Sequence, residues 1–255
     1  ISLDEPLRHA RTLSPSDLPE GRYRLTLIAE GQQGEIDRRE LSGLSTITVQ
    51  DSLPVGHTLL DGVDVWNGSM SLGREDFSVP ARALDLAMRR TYSSSASSQP
   101  GPLGFGWVHS WQSGIVLTDC GEAIVRGGEG SGMRFTFPDD TPDDTEPPPD
   151  GRLELVPQRG VHGSLVLDLD SGDFDFFTLA GNRFRYASAG RPNEWSLESV
   201  TDPNGNTVTL RYGSSPDGPL LVQVEDDAGR TLDFRYETRG FSTWDGPVLV
   251  EVRGP

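Results

Sequence analysis

The sequence predicts an all-β fold built from antiparallel hairpins, and two observations carry this prediction. The first is a repeat, because Leu197–Tyr212 and Leu221–Tyr236 have matching patterns that are offset by 24 residues at both ends. A fixed offset of this size is typical of repeat architectures. The second is the pattern inside each copy: a short alternating strand, a turn containing Asp and Gly, and a second alternating strand that ends in Arg-Tyr. This pattern describes one β-hairpin, and no helix separates the copies.

The turn residues and the tyrosines recur from copy to copy and are the candidate repeat positions. They are Tyr186, Asp202, Gly205, Tyr212, Asp226, Gly229 and Tyr236. A third copy begins at Leu249, and a looser one covers Gly181–Tyr186. Because the chain reaches Pro255 inside this pattern, we expect further repeats to follow in the complete polypeptide.

Composition favours a folded, turn-rich chain and excludes several classes of partner. Of 255 residues, 30 are Gly, 19 are Pro and 34% are apolar, which is too apolar for disorder. The net charge of −17 would repel phosphate backbones, so we expect no nucleic-acid binding. No run of about 18 apolar residues is present, so we expect no membrane insertion within the chain, and any export signal would lie upstream.

Residues 1–53 are predicted to be the C-terminal part of an immunoglobulin-like β-domain. Alternation predicts one strand over Arg22–Ala29 and another over Leu44–Val49. The run from Leu18 to Ile36, together with Ser45–Asp51, resembles the last two strands of a bacterial immunoglobulin-like or fibronectin-like module. We interpret this segment as the tail of an upstream domain, with a binding role as the alternative.

Residues 54–120 are predicted to form a separate opening module, in which Leu84–Met88 alternates as a strand. Its most distinctive feature is an aromatic row at a period of two, with small residues between: Phe105, Trp107, His109 and Trp111. Buried, these rings would anchor the module's core. Exposed, they would form a platform for a sugar or a partner chain. The intervening glycines indicate close backbone packing and favour the core.

Residues 121–255 are predicted to be the hairpin region, and two acidic stretches within it raise the question of calcium. Asp139–Asp150 combines acids with prolines, which predicts a solvated loop. Asp168–Asp173 lies between two predicted strands, which predicts a hairpin turn. Calcium binding is the alternative for both, since clustered carboxylates suit a hard cation.

The sequence contains no nucleophile elbow, no phosphate-binding glycine loop and no zinc-binding histidine pair. Cys120 lies next to acids that disfavour its thiolate, so we expect an inert, buried thiol and no disulfide within the chain. We therefore predict a non-enzymatic chain without a catalytic residue, cofactor or metal ligand. A glycosidase-like pair among the scattered acids is the alternative.

The repeats resemble the YD repeats of the RHS family, whose units join a hydrophobic strand, a turn such as Asp202–Asn206, and a strand ending in Tyr. Three upstream stretches are similar to the segment that opens RHS arrays, and they occur in the same order. They are Gly62–Ser69, Met88–Ser94 and Gly101–Trp111. The resemblance covers the repeats from about Leu179 to Pro255.

The resemblance implies a β-sheet ribbon coiled into a hollow shell, as in bacterial polymorphic toxins, insecticidal toxin complexes and teneurins. The chain would be the entry end of such a shell, which encapsulates a C-terminal, toxin-like cargo in a large exported bacterial protein, secreted or at the cell surface. Its partners would be the rest of its own polypeptide, with secretion machinery or a cell-surface partner as further candidates. The alternative is a surface protein for adhesion or carbohydrate binding.

Overall fold

A computed structural model describes residues 21–24, 26–30, 36–40, 46–49, 53–54, 59–64, 69–80, 84–119, 121–128, 130–138, 150–216, 218–241 and 244–255. Within these ranges the regular structure consists of β-strands and one short 3₁₀ turn, Ser94–Ala96. Over the same ranges, no helix has the length and apolar character needed to cross a membrane.

Seven short strands precede residue 69. They are β1 (Gly21–Arg24), β2 (Thr26–Glu30), β3 (Ile36–Glu40), β4 (Thr46–Val49), β5 (Leu53–Pro54), β6 (Leu59–Leu60) and β7 (Val63–Asp64). Every described residue of the strand predicted over Arg22–Ala29 is in a strand, where β1 pairs with β4 and β2 pairs with β3. The immunoglobulin-like assignment of residues 1–53 stays a prediction.

A three-stranded antiparallel sheet follows, formed by β8 (Ser71–Val79), β9 (Leu86–Ser93) and β10 (Trp107–His109). The central strand is β9, so the strand predicted around Leu84–Met88 is confirmed from Leu86 onward. Leu86, Ala87 and Met88 are all buried, whereas most of β8 is exposed. This sheet therefore joins the core mainly through the start of β9. We call it the opening sheet.

The remaining twelve strands form the main path of one large sheet. They are β11 (Gly114–Leu117), β12 (Glu122–Arg126), β13 (Ser131–Thr136), β14 (Arg152–Pro157), β15 (Ser164–Asp168), β16 (Phe174–Phe177), β17 (Arg183–Ser188), β18 (Glu194–Thr201), β19 (Thr207–Gly213), β20 (Leu220–Asp226), β21 (Thr231–Phe241) and β22 (Trp244–Arg253). Each strand pairs with the next in sequence, antiparallel throughout, and β5 adds a short parallel contact to β13. The predicted hairpin ribbon is confirmed.

The ribbon also curls round on itself, because β11 pairs with β18 as well as with β12. Strands β11 to β18 therefore form a closed ring of eight strands, and β19 to β22 continue beyond it. Side chains can fill the interior of a ring of this size. Here the filling includes the edge-on pairs Phe135–Phe176, with ring centroids 6.1 Å apart, and Phe174–Trp195, at 4.9 Å.

Five of the hairpins use the same turn, in which the residue at the start accepts a hydrogen bond from a glycine three positions later. The start and glycine pairs are Thr118 and Gly121, Gly127 and Gly130, Thr178 and Gly181, Asp202 and Gly205, and Asp226 and Gly229. All five glycines have a φ between +75° and +87°. This is the three-residue loop in which a type I turn is followed by a left-handed glycine.

On the outer face of the ribbon, a buried carboxylate on β16 links the adjacent strand β17 with β14, which lies beyond β15. The Asp175 side chain is 3% exposed and lies beneath arginines from both sides. Arg152 Nη2 is 2.9 Å from Asp175 Oδ2, and Arg183 donates from Nε and Nη2 to the two carboxylate oxygens at 2.9 and 2.8 Å. Since the charge is paired and fully hydrogen-bonded, its burial is tolerated and β14, β16 and β17 are joined across their outer surface.

Candidate functional site

The candidate functional site is a fork in the ribbon, at strand β18. One edge of β18 pairs first with β11, through Gly114↔Ser196, and then with β19, through Ser199↔Thr209. The two partners lie end to end along the same edge. Strand β18 therefore completes the first turn of the ribbon and begins the second, so the ribbon advances as a coil.

Leu197 lies at the gap between the two partner strands, where neither of them supplies a ladder bond. Its N–H donates to the Ser113 carbonyl at 3.2 Å, and its carbonyl accepts a hydrogen bond from the Tyr212 hydroxyl at 2.8 Å. A buried backbone group without a partner would be costly. The fork is thus closed by a residue just before β11 and by a tyrosine of the repeat.

A second tyrosine binds Ser113 from inside the ring. Ser113 Oγ donates to the Arg126 carbonyl at 2.8 Å, so it accepts from the Tyr186 hydroxyl, 2.9 Å away. Burial raises the pKa of Tyr212 and Tyr236, and for Tyr212 the neighbouring tyrosines raise it further. Both phenols therefore stay protonated across the physiological pH range, and Tyr212 keeps its hydrogen bond to Leu197.

Each repeat tyrosine lies beside a β-bulge, which corrects the prediction of simple alternation. Tyr186, Tyr212 and Tyr236 pair with a leucine, while the preceding arginine pairs with the residue two positions beyond that leucine. In each partner strand, one residue lies opposite no residue of the tyrosine's strand and is the extra residue of the bulge. These residues are Glu198, Val222 and Val250. Because of this extra residue, a leucine and a valine three positions apart both face the core, as Leu197 and Val200 do.

The repeat aspartates organise their turns through backbone hydrogen bonds. Asp202 Oδ1 accepts from the N–H groups of Asn204 and Asn206, both at 2.9 Å. The Asn206 side-chain amide also bonds this carboxylate, and these bonds lower the pKa of Asp202. Burial raises the pKa of Asp226, but hydrogen bonds from Arg230 outweigh it and the pKa lies below its usual value.

The aromatic row of the opening module does not form one continuous strand face. Only Trp107–His109 is strand, while Phe105 and Trp111 lie in turns on either side. Trp111 and His109 are buried, at 5% and 2% exposure, and Trp111 Nε1 donates to the Ala87 carbonyl at 2.9 Å. Trp107 is half-buried against Tyr92 and lies outside the core cluster. Phe105 is also half-buried and outside that cluster, so the expectation that all the rings anchor the core is wrong for Phe105 and Trp107, because the chain turns at both ends of β10.

His109 is buried and lies against an aromatic side chain of the second turn. Its ring lies 5.6 Å from that of Phe234 on β21, and its Nδ1 is buried without a hydrogen-bond partner among the described residues. Burial lowers the pKa of His109 to about 4. The imidazole is therefore neutral at physiological pH and joins the opening sheet to the second turn of the ribbon.

The acidic stretch Asp168–Asp173 is a hairpin turn, as predicted. Asp168 Oδ1 accepts from the N–H groups of Asp170 and Ser171, both at 3.0 Å. Across the part of the chain that the structure describes, no group of three His, Cys, Asp or Glu side chains is placed to hold a metal ion. Residues 139–149 and Cys120 lie outside that part, so the interpretations of both stay predictions.

Sequence reasoning missed Ser113 and Gly114, which hold the end of β11 at the fork. A Cβ on Gly114 would lie 2.8 Å from the Trp195 carbonyl oxygen, so only glycine lets β11 approach β18 this closely. The signal for the bulges was present in the sequence as the Leu-x-x-Val spacing of Leu197, Leu221 and Leu249. That spacing is incompatible with a regular period of two.

We expect Gly114→Ala to lower the free energy of unfolding by about 2 kcal/mol, because the added methyl group must push β11 away from β18. Gly73→Ala in β8 is the matched control, since a Cβ there meets no atom within 4 Å. Urea denaturation measures both, and hydrogen exchange at the Leu197 amide should accelerate in Gly114→Ala alone. Equal stability of the two variants would show that the fork does not depend on this close approach.

A family described as a domain of unknown function (DUF6531) matches residues 60–135. The probable deoxyribonucleases RhsA and RhsB of Dickeya dadantii strain 3937 are each 26% identical to this chain, over 196 and 194 residues. These matches cover 71% of this chain, which spans 13% of the length of either relative.

Two solved structures give partial overlaps. The N-terminal domain of the effector protein SpvB from Salmonella typhimurium strain LT2 is 16% identical, with a TM-score of 0.44, over 69% of this chain and 77% of that one. The TcdB2–TccC3 crystal structure is 15% identical, with a TM-score of 0.48, over 82% of this chain and 13% of that one. The ordered opening motifs and the tyrosine repeats, together with the two Rhs relatives, make this chain similar to the Rhs proteins.

Proposed function

We propose that this chain forms the entry end of a hollow β-shell in a large exported bacterial RHS protein, and that the shell encapsulates a C-terminal, toxin-like cargo. The fork at β18 carries the proposal. A sheet that only closed would end as a small barrel, whereas β18 pairs with both the first strand and the next one. Added hairpins would therefore extend the coil turn by turn.

The opening sheet contacts both turns of this coil, which supports a role as the starting cap. Leu86, Met88 and Trp111 belong to the same core cluster as the inward side chains of the first turn. Three contacts reach the second turn: Arg230 Nη1 donates to the Pro80 carbonyl at 2.8 Å, the Leu249 N–H donates to the Pro102 carbonyl at 2.7 Å, and His109 lies against Phe234. A cap held in this way would fix where the coil begins.

The chain is proposed to be non-enzymatic and structural, with boundaries at residues 1–53, 54–120 and 121–255. Its relatives are named as probable deoxyribonucleases, but it spans 13% of their length. The net charge of −17 would oppose approach to a phosphate backbone. We therefore assign any nuclease activity of the parent protein to sequence outside this chain, and its partners within that protein to further repeats and cargo.

Electron microscopy of the full-length protein tests the proposal, combined with limited proteolysis of its C-terminal cargo. We expect a closed body with internal density, and a cargo that resists protease. Deletion of residues 69–112, the opening sheet and its loop, should open one end and expose the cargo. A rod-like or open ribbon, or cargo cleaved equally fast with and without residues 69–112, would contradict encapsulation.

A further inference from the structure

A cleft of about 420 Å³ lies where the opening sheet meets the fork. One wall comes from β10 and the loop before it, including Gln99 and Trp107, and the other comes from the starts of β11 and β18, including Trp195. Most residues that line it are half-buried, so their side chains are accessible from the cleft. The volume falls within the range of about 300–1,000 Å³ that is usual for ligand pockets.

Two tryptophan rings border the cleft, and both are held by contacts outside it. The Arg90 guanidinium lies 5.9 Å from the Trp107 ring centroid and is itself fixed by two hydrogen bonds to Asp76, at 2.6 and 2.7 Å. Trp195 Nε1 donates to the Gly172 carbonyl at 2.8 Å, and its ring meets Phe174 edge-on. Rings fixed before binding lose little conformational entropy when a ligand contacts them.

The lining of the cleft also contains a buried hydrogen-bond acceptor that has no donor among the described residues. Gln112 Oε1 is buried and accepts no hydrogen bond from the described residues, although the Gln112 backbone N–H is bonded to the His109 carbonyl. Leaving a buried polar group unsatisfied costs about 1–3 kcal/mol. A ligand that donates a hydrogen bond at this point would remove that cost.

The other polar groups of the cleft are mainly hydroxyls and side-chain amides, and its charges are few. They include the side chains of Thr91, Ser93, Gln99, Ser131 and Ser196. The charged residues of the lining are Arg126 and the pair Arg191 and Glu194, which form an ion pair at 3.5 Å. Hydroxyls both donate and accept, so this surface is suited to a ligand that also carries many hydroxyls and little charge.

From these observations we propose that the cleft is a binding site for a short, uncharged oligosaccharide. The apolar face of a sugar ring would lie on Trp107 or Trp195, and one sugar hydroxyl would donate to Gln112 Oε1. A peptide that binds as an added strand fits less well, because β11 is already paired on both of its edges. Among the described strands that border the cleft, β10 has an unpaired edge, and it is only three residues long. The proposal does not depend on encapsulation.

A glycan array probed with the 255-residue chain tests this proposal, followed by calorimetry with the best-bound oligosaccharide. We expect Trp107→Ala and Gln112→Leu each to weaken the affinity about tenfold or more. Gln112→Leu should not lower the melting temperature, because it removes an unsatisfied buried group; it therefore remains informative even if Trp107→Ala folds poorly. Gln223→Leu is the matched control, because Gln223 lies outside the cleft and bonds Asp233, and it should keep full affinity.

The proposal would be overturned by an array on which no saccharide is bound, by an affinity that is unchanged in Gln112→Leu, or by binding of short peptides in place of saccharides. Loss of saccharide binding in Gln223→Leu as well would also overturn it, because the effect would then not be located in the cleft.

Discussion

Replacing Trp111 by alanine is expected to lower the free energy of unfolding by about 3–5 kcal/mol, the usual range for removing a large buried aromatic side chain. Trp111 is 5% exposed and belongs to the core that joins the opening sheet to the first turn of the ribbon. The loss should come from the cavity. The Ala87 carbonyl also accepts a hydrogen bond from Ser110 Oγ at 2.8 Å and keeps this partner when the indole is gone.

Trp107→Ala is the matched comparison for Trp111→Ala, because it makes the same change four residues earlier in the same aromatic row. Trp107 is half-buried and lies outside the core, so the expected loss is about 1 kcal/mol, from its contacts with Tyr92 and Arg90. Urea denaturation of the two variants measures the difference. Equal losses would mean that the two rings share one environment, contrary to the structure.

The hairpins were predictable from sequence because their information is local. A turn such as Asp202–Asn206 contains its own acceptor and its own glycine, and the strands on either side show where it begins and ends. The turns that begin at Thr118 and Thr178 have the same geometry without an aspartate. Their glycines, three positions later, were the available signal.

The fork could not be predicted in this way, because it depends on residues that are far apart in the sequence. Nothing in the local pattern of Gly114 indicates that it will approach Trp195, and alternation in β18 is the same whether one or two strands share its edge. The bulges lie between these cases. The spacing of Leu197 and Val200 indicates a break in alternation, but only the pairing of Leu197 with Tyr186 identifies Glu198 as the extra residue of the bulge.

The aromatic row shows a different limit of sequence reasoning. Periodicity identifies which residues share a face only while the backbone remains extended, and β10 is three residues long. Beyond His109 the chain turns, so Trp111 reaches the core by a route that a period of two does not describe. Of the predicted site residues, His109 and Trp111 lie in the interior, whereas Trp107 borders the cleft.

The free energy of unfolding should fall as the pH is lowered, and part of this fall should come from protonation of His109. Its pKa is about 4 in the folded chain, against an ordinary value of 6.5, because burial disfavours the imidazolium. Between these values the unfolded chain binds the proton and the folded chain does not, so stability rises with pH. The full contribution of His109 to the free energy of unfolding is present above pH 6.5, where the imidazole is neutral in both states, and it is lost progressively as the pH falls to about 4. At about 1.4 kcal/mol per pH unit, the total is about 3 kcal/mol.

The measurement is the free energy of unfolding from urea titrations at several values between pH 7 and pH 4, compared with His109→Gln. Carboxylates weaken the fold on acidification in both proteins, so the difference between the two curves isolates the histidine. We expect the wild type to lose about 3 kcal/mol more than His109→Gln over this range. His162→Gln, which removes an exposed histidine, is the matched control. Parallel curves for wild type and His109→Gln would show that the imidazole is not confined in the seam between the opening sheet and β21. If the two free energies of unfolding instead converge towards pH 4, the additional loss in the wild type comes from His109, which contacts Phe234.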